Sequence, residues 1–228
     1  MKSDSLKDEA LIYKILSSVF HTPDDLFLRG LSETALFRKA LKGASLKSLQ
    51  AEHTRLFSLT VAGGITPYET EYGHKDIFFK TQRMADIAGF YRAFGFEVAD
   101  SAHQRVDHIG VELEFMHWLR LKEKRGEEKG LPQQAELCRE AAEKFMTDHL
   151  GRWGSFFGSQ TAESAQHPFY REVGHRLAQF VESECRRLGV TPERVIHPRV
   201  IHPGVTGWSP DPTISSTQFE CGGCQDVS

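Results

Sequence analysis

Three Glu-x-x-His pairs in this chain, Glu71/His74, Glu114/His117 and Glu172/His175, set a carboxylate and an imidazole one helical turn apart. Two such pairs on facing helices, with two further glutamates, would build a di-metal carboxylate centre. Pairs at this spacing are more commonly surface contacts between helical neighbours. Asp107-His108 with Glu112 also puts an imidazole and a carboxylate on one helix face, an arrangement that can tune a general base. A helix cap at Asp107 with local bonding of the other two accounts for it equally well. No Gly-x-Ser-x-Gly elbow and no Walker-type phosphate loop accompanies these groups. Cys221-Gly222-Gly223-Cys224 is half of a zinc or iron–sulfur knuckle. Cys138, Cys185, His197, His202 or a second chain would have to complete it, and none has knuckle spacing. A reduced, unligated tail is the stronger reading, ahead of metal or redox use.

A different constellation lies in residues 66–116. This stretch interleaves Tyr68, Tyr72, Phe78, Phe79, Phe90, Tyr91, Phe94 and Phe96 with nine acids and five bases, a net of −4 against −3 for all 228 residues. Aromatic walls with an acidic rim suit a peptide that is apolar and flanked by arginines. Aromatic stripes also build ordinary cores, so composition alone does not separate the two.

The elements that would position these groups are helical. Leu6, Ala10, Tyr13, Leu16 and Phe20 recur with helical spacing, and Pro23-Asp24-Asp25 restarts the chain. Ser45 caps a helix carrying Leu49, Leu56 and Phe57. Val61–Tyr68, with two glycines and a proline, reads as a loop. Met84 to Phe94 returns to the helical period and Gly95 stops it. Asp107 opens the next helix. The charged run from Lys122 to Gly130 reads as an exposed connector, and residues 132–150 and 168–189 as long amphipathic helices. No stretch alternates with period two. The expected fold is all-α: one globular helical domain of about eight to ten helices over residues 1–194. An irregular Pro/Gly-rich tail holding the Cys221–Cys224 motif follows over 195–228.

The charge balance predicts no strong attraction to nucleic acid or anionic lipid. No apolar run approaches the ~20 residues of a membrane span, and the N-terminus has no signal-peptide pattern. Four cysteines in 228 residues fit a reduced, cytoplasmic protein.

Several ordered motifs carry a family resemblance. Thr66-Pro67-Tyr68-Glu69-Thr70-Glu71-Tyr72 resembles the Pro-aromatic-x-Ser-x-Tyr loop of TorD-like chaperones, the family that includes DmsD and NarJ. Val106-Asp107-His108-Ile109-Gly110-Val111-Glu112-Leu113-Glu114-Phe115-Met116 resembles its Pro-Asp-His-x-x-x-Glu-Leu-x-Phe-Met signature, with Val106 in place of proline. Asp148-His149-Leu150, Trp153, Phe156 and Phe169-Tyr170 are similar to its paired C-terminal motifs, and the match runs over roughly residues 6–190. The resemblance implies an all-α binding protein, not an enzyme, with no cofactor of its own. It implies a monomer or homodimer that holds the N-terminal leader, a twin-arginine signal segment, of an apo molybdenum or tungsten oxidoreductase until cofactor insertion. On it, Asp107 and His108 form the recognition edge, flanked by Tyr68 and Tyr72. Charge and helix geometry add Glu112 and Glu114.

Overall fold

The structure is a computed structural model that describes residues 2–34, 36–58, 65–73, 77–98 and 104–195, without the side chains of residues 2–8 and 33. His74, Cys221 and Cys224 lie outside the described residues. The described chain forms eight α-helices: α1 Lys2–Val19, α2 Asp25–Glu33, α3 Leu46–Phe57, α4 Ile77–Ala93, α5 Ile109–Glu128, α6 Pro132–Phe145, α7 Gly151–Ser164 and α8 Pro168–Leu188. A 3-10 turn, Glu69–Glu71, and a π turn, Met146–Leu150, complete them.

The helix ends follow from local chemistry. The Asp24 side chain accepts from the Phe27 amide at 2.7 Å and so caps α2. Ser45 and Ser48 exchange side-chain bonds with each other's amides at the start of α3. Gly95 and Gly189 take φ of +61° and +70° just past α4 and α8, a left-handed turn that costs other residues more.

Two elements differ from the sequence reading. Lys122 to Glu128 is not a connector; it is the second half of α5. Its acids are paired: Glu123, almost wholly buried, meets Arg120 and receives Arg139 of α6 at 3.2 Å. Gly126 lets α6 come close, since a Cβ there would stand 3.0 Å from the Ala135 amide nitrogen. The stretch 132–150 is helical, but it passes through the π turn and runs on as α7 to Ser164.

α5 is the central helix, flanked by α1 and α6, while α7 packs along α8. Trp153, Tyr13, Tyr170, Phe20, Phe115, Phe145, Phe157 and Phe169 are fully buried among these helices. Burying such rings supplies much of the apolar drive of a helical core. α4 is less enclosed. It buries Ile87 and Tyr91, whereas Ile77, Phe78 and Phe79 at its start are 72%, 81% and 60% exposed.

Candidate functional site

The 66–72 loop and the start of α5 are bonded to each other across the chain. The Glu69 amide donates to the Asp107 carbonyl and the Ile109 amide to the Pro67 carbonyl, both at 2.9 Å. Tyr68 and His108 thereby pair as an isolated antiparallel bridge. Their rings lie 5.4 Å apart, and the Arg105 guanidinium sits over Tyr68 at 4.5 Å.

Asp107 does not cap α5, and it is not a rim charge. Its carboxylate is fully buried and accepts from the Thr70 hydroxyl at 2.7 Å and the Thr70 amide at 3.2 Å. Arg105 grips the same carboxylate at 3.0 and 2.8 Å. The cap is His108, whose Nδ1 accepts from the Gly110 amide at 3.1 Å. Burial, then the nearby His21, His53 and Arg105, pushes the His108 imidazole down to about 3. It is neutral at physiological pH and suited to accepting that amide hydrogen.

Behind this strap lies a second polar cluster. Glu69 is nearly inaccessible and meets His149 Nδ1 at 3.1 Å and Arg83 at 2.9 Å. The same Arg83 nitrogen donates to the Asp148 carbonyl at 2.8 Å, tying α4 to the π turn. Glu112 is wholly buried and takes a 3.1 Å hydrogen bond from the Trp153 indole. Its other oxygen has no hydrogen-bond partner among the described residues. Burial and then the neighbouring Glu69 carboxylate hold the Glu112 carboxyl well above the usual range.

A raised carboxyl makes the folded state bind more protons than the unfolded one above pH 4.5. Glu112 therefore supports the fold most at acid pH, and that support is lost as pH rises towards its folded value. The isosteric Glu112→Gln variant carries no such charge. Its melting temperature is expected to match the parent near pH 4.5 and to exceed it at pH 8, where the parent must hold the Glu112 carboxyl against burial and Glu69. Equal pH profiles for the two proteins would show that Glu112 titrates normally.

The remaining predicted residues scatter. Tyr72 is buried, stacked 5.1 Å from Trp153, with its hydroxyl donating to the Thr66 carbonyl at 2.8 Å. Glu114 points to α1, where it pairs with Lys14. His117 bonds the Ala10 carbonyl at 2.7 Å and Glu172 pairs with Arg176 at 2.7 Å, so the candidate metal ligands are engaged elsewhere. Among the described residues no three His, Cys, Asp or Glu side chains converge as a metal site. Glu69, Arg83, Arg105 and His149, which sequence reasoning did not single out, are what knit the region together. Glu69 stood inside the loop motif, and His149 inside the Asp148-His149 motif.

Arg83 and His149, the partners of Glu69, also meet an open surface. A cleft of about 870 Å³ runs beside α4, with Phe90, Ala93 and Phe94 on one side and the π turn opposite. Arg83 and His149 line it, so the buried cluster supports its floor. Phe90 stands edge-on to the His149 ring at 5.6 Å. Asp86 is at the rim, accepting from Gln82 at 3.1 Å, and forms no ion pair among the described residues.

Known proteins resemble this chain in both sequence and fold. Residues 22–158 match the family model described as nitrate reductase delta subunit. A chlorate reductase assembly chaperone protein of Ideonella dechloratans is 29% identical, over 84% of this chain and 95% of the relative. A selenate reductase assembly chaperone protein of Thauera selenatis is 28% identical, over 78% of this chain and 88% of the relative. The crystal structure of a putative redox enzyme maturation protein from Archaeoglobus fulgidus superposes with a TM-score of 0.51 at 21% identity. That match covers 76% of this chain and 93% of the other, and it supports the fold. No described helix is long and apolar enough to cross a membrane. With more than half its length matched, the chain belongs to the nitrate reductase delta subunit family and is, like these relatives, an assembly chaperone and not a catalyst.

Proposed function

We propose that this protein acts in the cytoplasm on the catalytic subunit of a molybdopterin-dependent oxidoreductase. It holds the subunit's N-terminal leader, a twin-arginine signal segment, while cofactor is inserted, and releases it for export or assembly. The observation that carries this reading is the cleft beside α4. Its aromatic side can take an apolar segment, and its floor rests on the two sequence motifs that resemble the chaperone signature. The exposed Ile77, Phe78 and Phe79 extend the apolar surface along the same helix.

A leader helix would lay its apolar face against Phe90 and Phe94, and one of its arginines would meet Asp86. Exposed ion pairs contribute only ~0–1 kcal/mol, so apolar burial sets the affinity and the charge sets the register. Asp107, His108, Tyr72 and Glu112 act from beneath, by holding the loop and the floor, while Tyr68 is half-buried at the edge.

Gly89 offers a test that spares the core. It lines the cleft, and a Cβ there would meet nothing within 4 Å. Gly89→Trp is expected to fill the cleft and weaken leader binding at least about tenfold, ~1.4 kcal/mol, with unchanged melting. Fluorescence anisotropy with labelled leader peptides from candidate reductase subunits reads this directly. Undiminished binding of a leader that the parent protein binds would place the leader elsewhere.

A further inference from the structure

A second concave surface lies on the other side of Phe94, between α5 and α6, with a volume of about 640 Å³. Leu121, Leu131 and Leu137 form its apolar part and are 41%, 40% and 57% exposed. Lys122, Arg125 and Lys129 stand around them. Positions 118, 121, 122 and 125 fall on one face of α5 and Lys129 follows its last residue, while Leu131 and Leu137 come from the start and body of α6.

The charges around this groove are segregated. Lys122 lies 5.1 Å over the Trp118 ring, and neither it nor Arg125 or Lys129 makes an ion pair among the described residues. The acids of the same stretch lie off the groove and are engaged. Glu123, Glu127 and Glu136 meet Arg139, and Glu128 meets Lys124. No acid lines the groove. The α4 cleft, by contrast, mixes both signs.

We propose that this groove docks an acidic amphipathic helix of a protein partner, at a site separate from the leader cleft. Three leucines in a concavity call for an apolar stripe, and three uncompensated cations call for carboxylates on either side of it. A lipid bilayer is anionic too, but its surface cannot reach a concave floor. This proposal does not depend on the identity of the leader.

The test uses the full-length chain and a labelled synthetic helix with leucines at i, i+3, i+4 and i+7 and glutamates elsewhere. Its counterpart carries glutamine for glutamate. The glutamate peptide is expected to bind about tenfold more tightly at low salt, and the preference to shrink as salt screens it. Lys122→Glu with Arg125→Glu and Lys129→Glu is expected to abolish the preference, and Leu137→Asp to weaken both peptides. Neither change is expected to alter leader binding, which separates this site from the α4 cleft. Equal binding of the two peptides by the unmodified chain would overturn the proposal, and that comparison needs no variant to fold. Binding to phosphatidylglycerol vesicles that depends on the three cations, without binding of the glutamate peptide, would also overturn it in favour of a membrane surface.

Discussion

Replacing Gly174 by alanine is expected to lower stability by about 3 kcal/mol. α7 and α8 cross there with their backbones in contact. A Cβ on Gly174 would stand 2.5 Å from the Gly158 carbonyl oxygen and nearer still to the Ala162 amide nitrogen. From the other side, a Cβ on Gly158 would stand 2.7 Å from the Ala178 amide nitrogen and 2.8 Å from the Gly174 carbonyl oxygen. These are main-chain atoms, so no side-chain rotation relieves the clash and the helices must separate. Separation would loosen Phe157, Phe169, Tyr170 and Val173 together, all of them buried without remaining exposure. Alanine's better helix propensity, about 1 kcal/mol, offsets only part of this. Thermal melting by circular dichroism would register a fall of about 10 °C for a domain of this size. Gly89→Ala is the control: it lies in open helix and is expected to melt at or above the parent temperature. If both alanine variants melt alike, the close crossing is not a constraint.

Asp107→Ala is expected to cost about 2–3 kcal/mol and to free the 66–72 loop. The carboxylate satisfies the Thr70 amide and hydroxyl and receives both arms of Arg105. Removing it leaves a buried amide without an acceptor and a guanidinium without its anion. Arg105 is about one-third exposed, so water compensates part of that loss. Asp107→Asn keeps one acceptor for Thr70 and is expected to cost about half as much. Amide hydrogen exchange of residues 68–72 is the decisive readout, since local opening should precede global unfolding. Unchanged exchange and melting would mean the carboxylate is idle in the fold. Any loss of leader binding in this variant is expected to accompany loss of loop protection, because Asp107 acts through the loop.

Much of the fold could be read from local chemistry. Asp24, Ser45, Gly95 and Gly189 mark helix ends by bonds or backbone angles that depend on a few adjacent residues. The order of the Pro67–Tyr72, Asp107–Met116 and Asp148–Phe156 motifs carried the family. The helical period also points Trp153 and Phe156 to the core: Trp153 is fully buried, and Phe156 is partly buried against the core.

What local chemistry could not settle was direction. An acid in a sequence reads as solvated, because burying a charge is unfavourable without partners. Arg105 is local to Asp107, but Thr70 is 37 positions from Asp107 and His149 is 80 from Glu69, and these partners meet only when the loop lies across the start of α5. The run from Lys122 to Glu128 misled for a related reason: Glu123 pairs with Arg120 one turn back in α5, but its second partner, Arg139, arrives only with the α5–α6 packing. So local spacing put Glu112, Glu114 and His117 on one helix with His108 at its start. Tertiary structure alone determined that Asp107, His108 and Glu112 turn inward and support the cleft beside α4, while Glu114 turns to Lys14 of α1 and the neighbouring lysine- and arginine-rimmed groove stays open to solvent, because a charge is buried only where packed elements supply its partners.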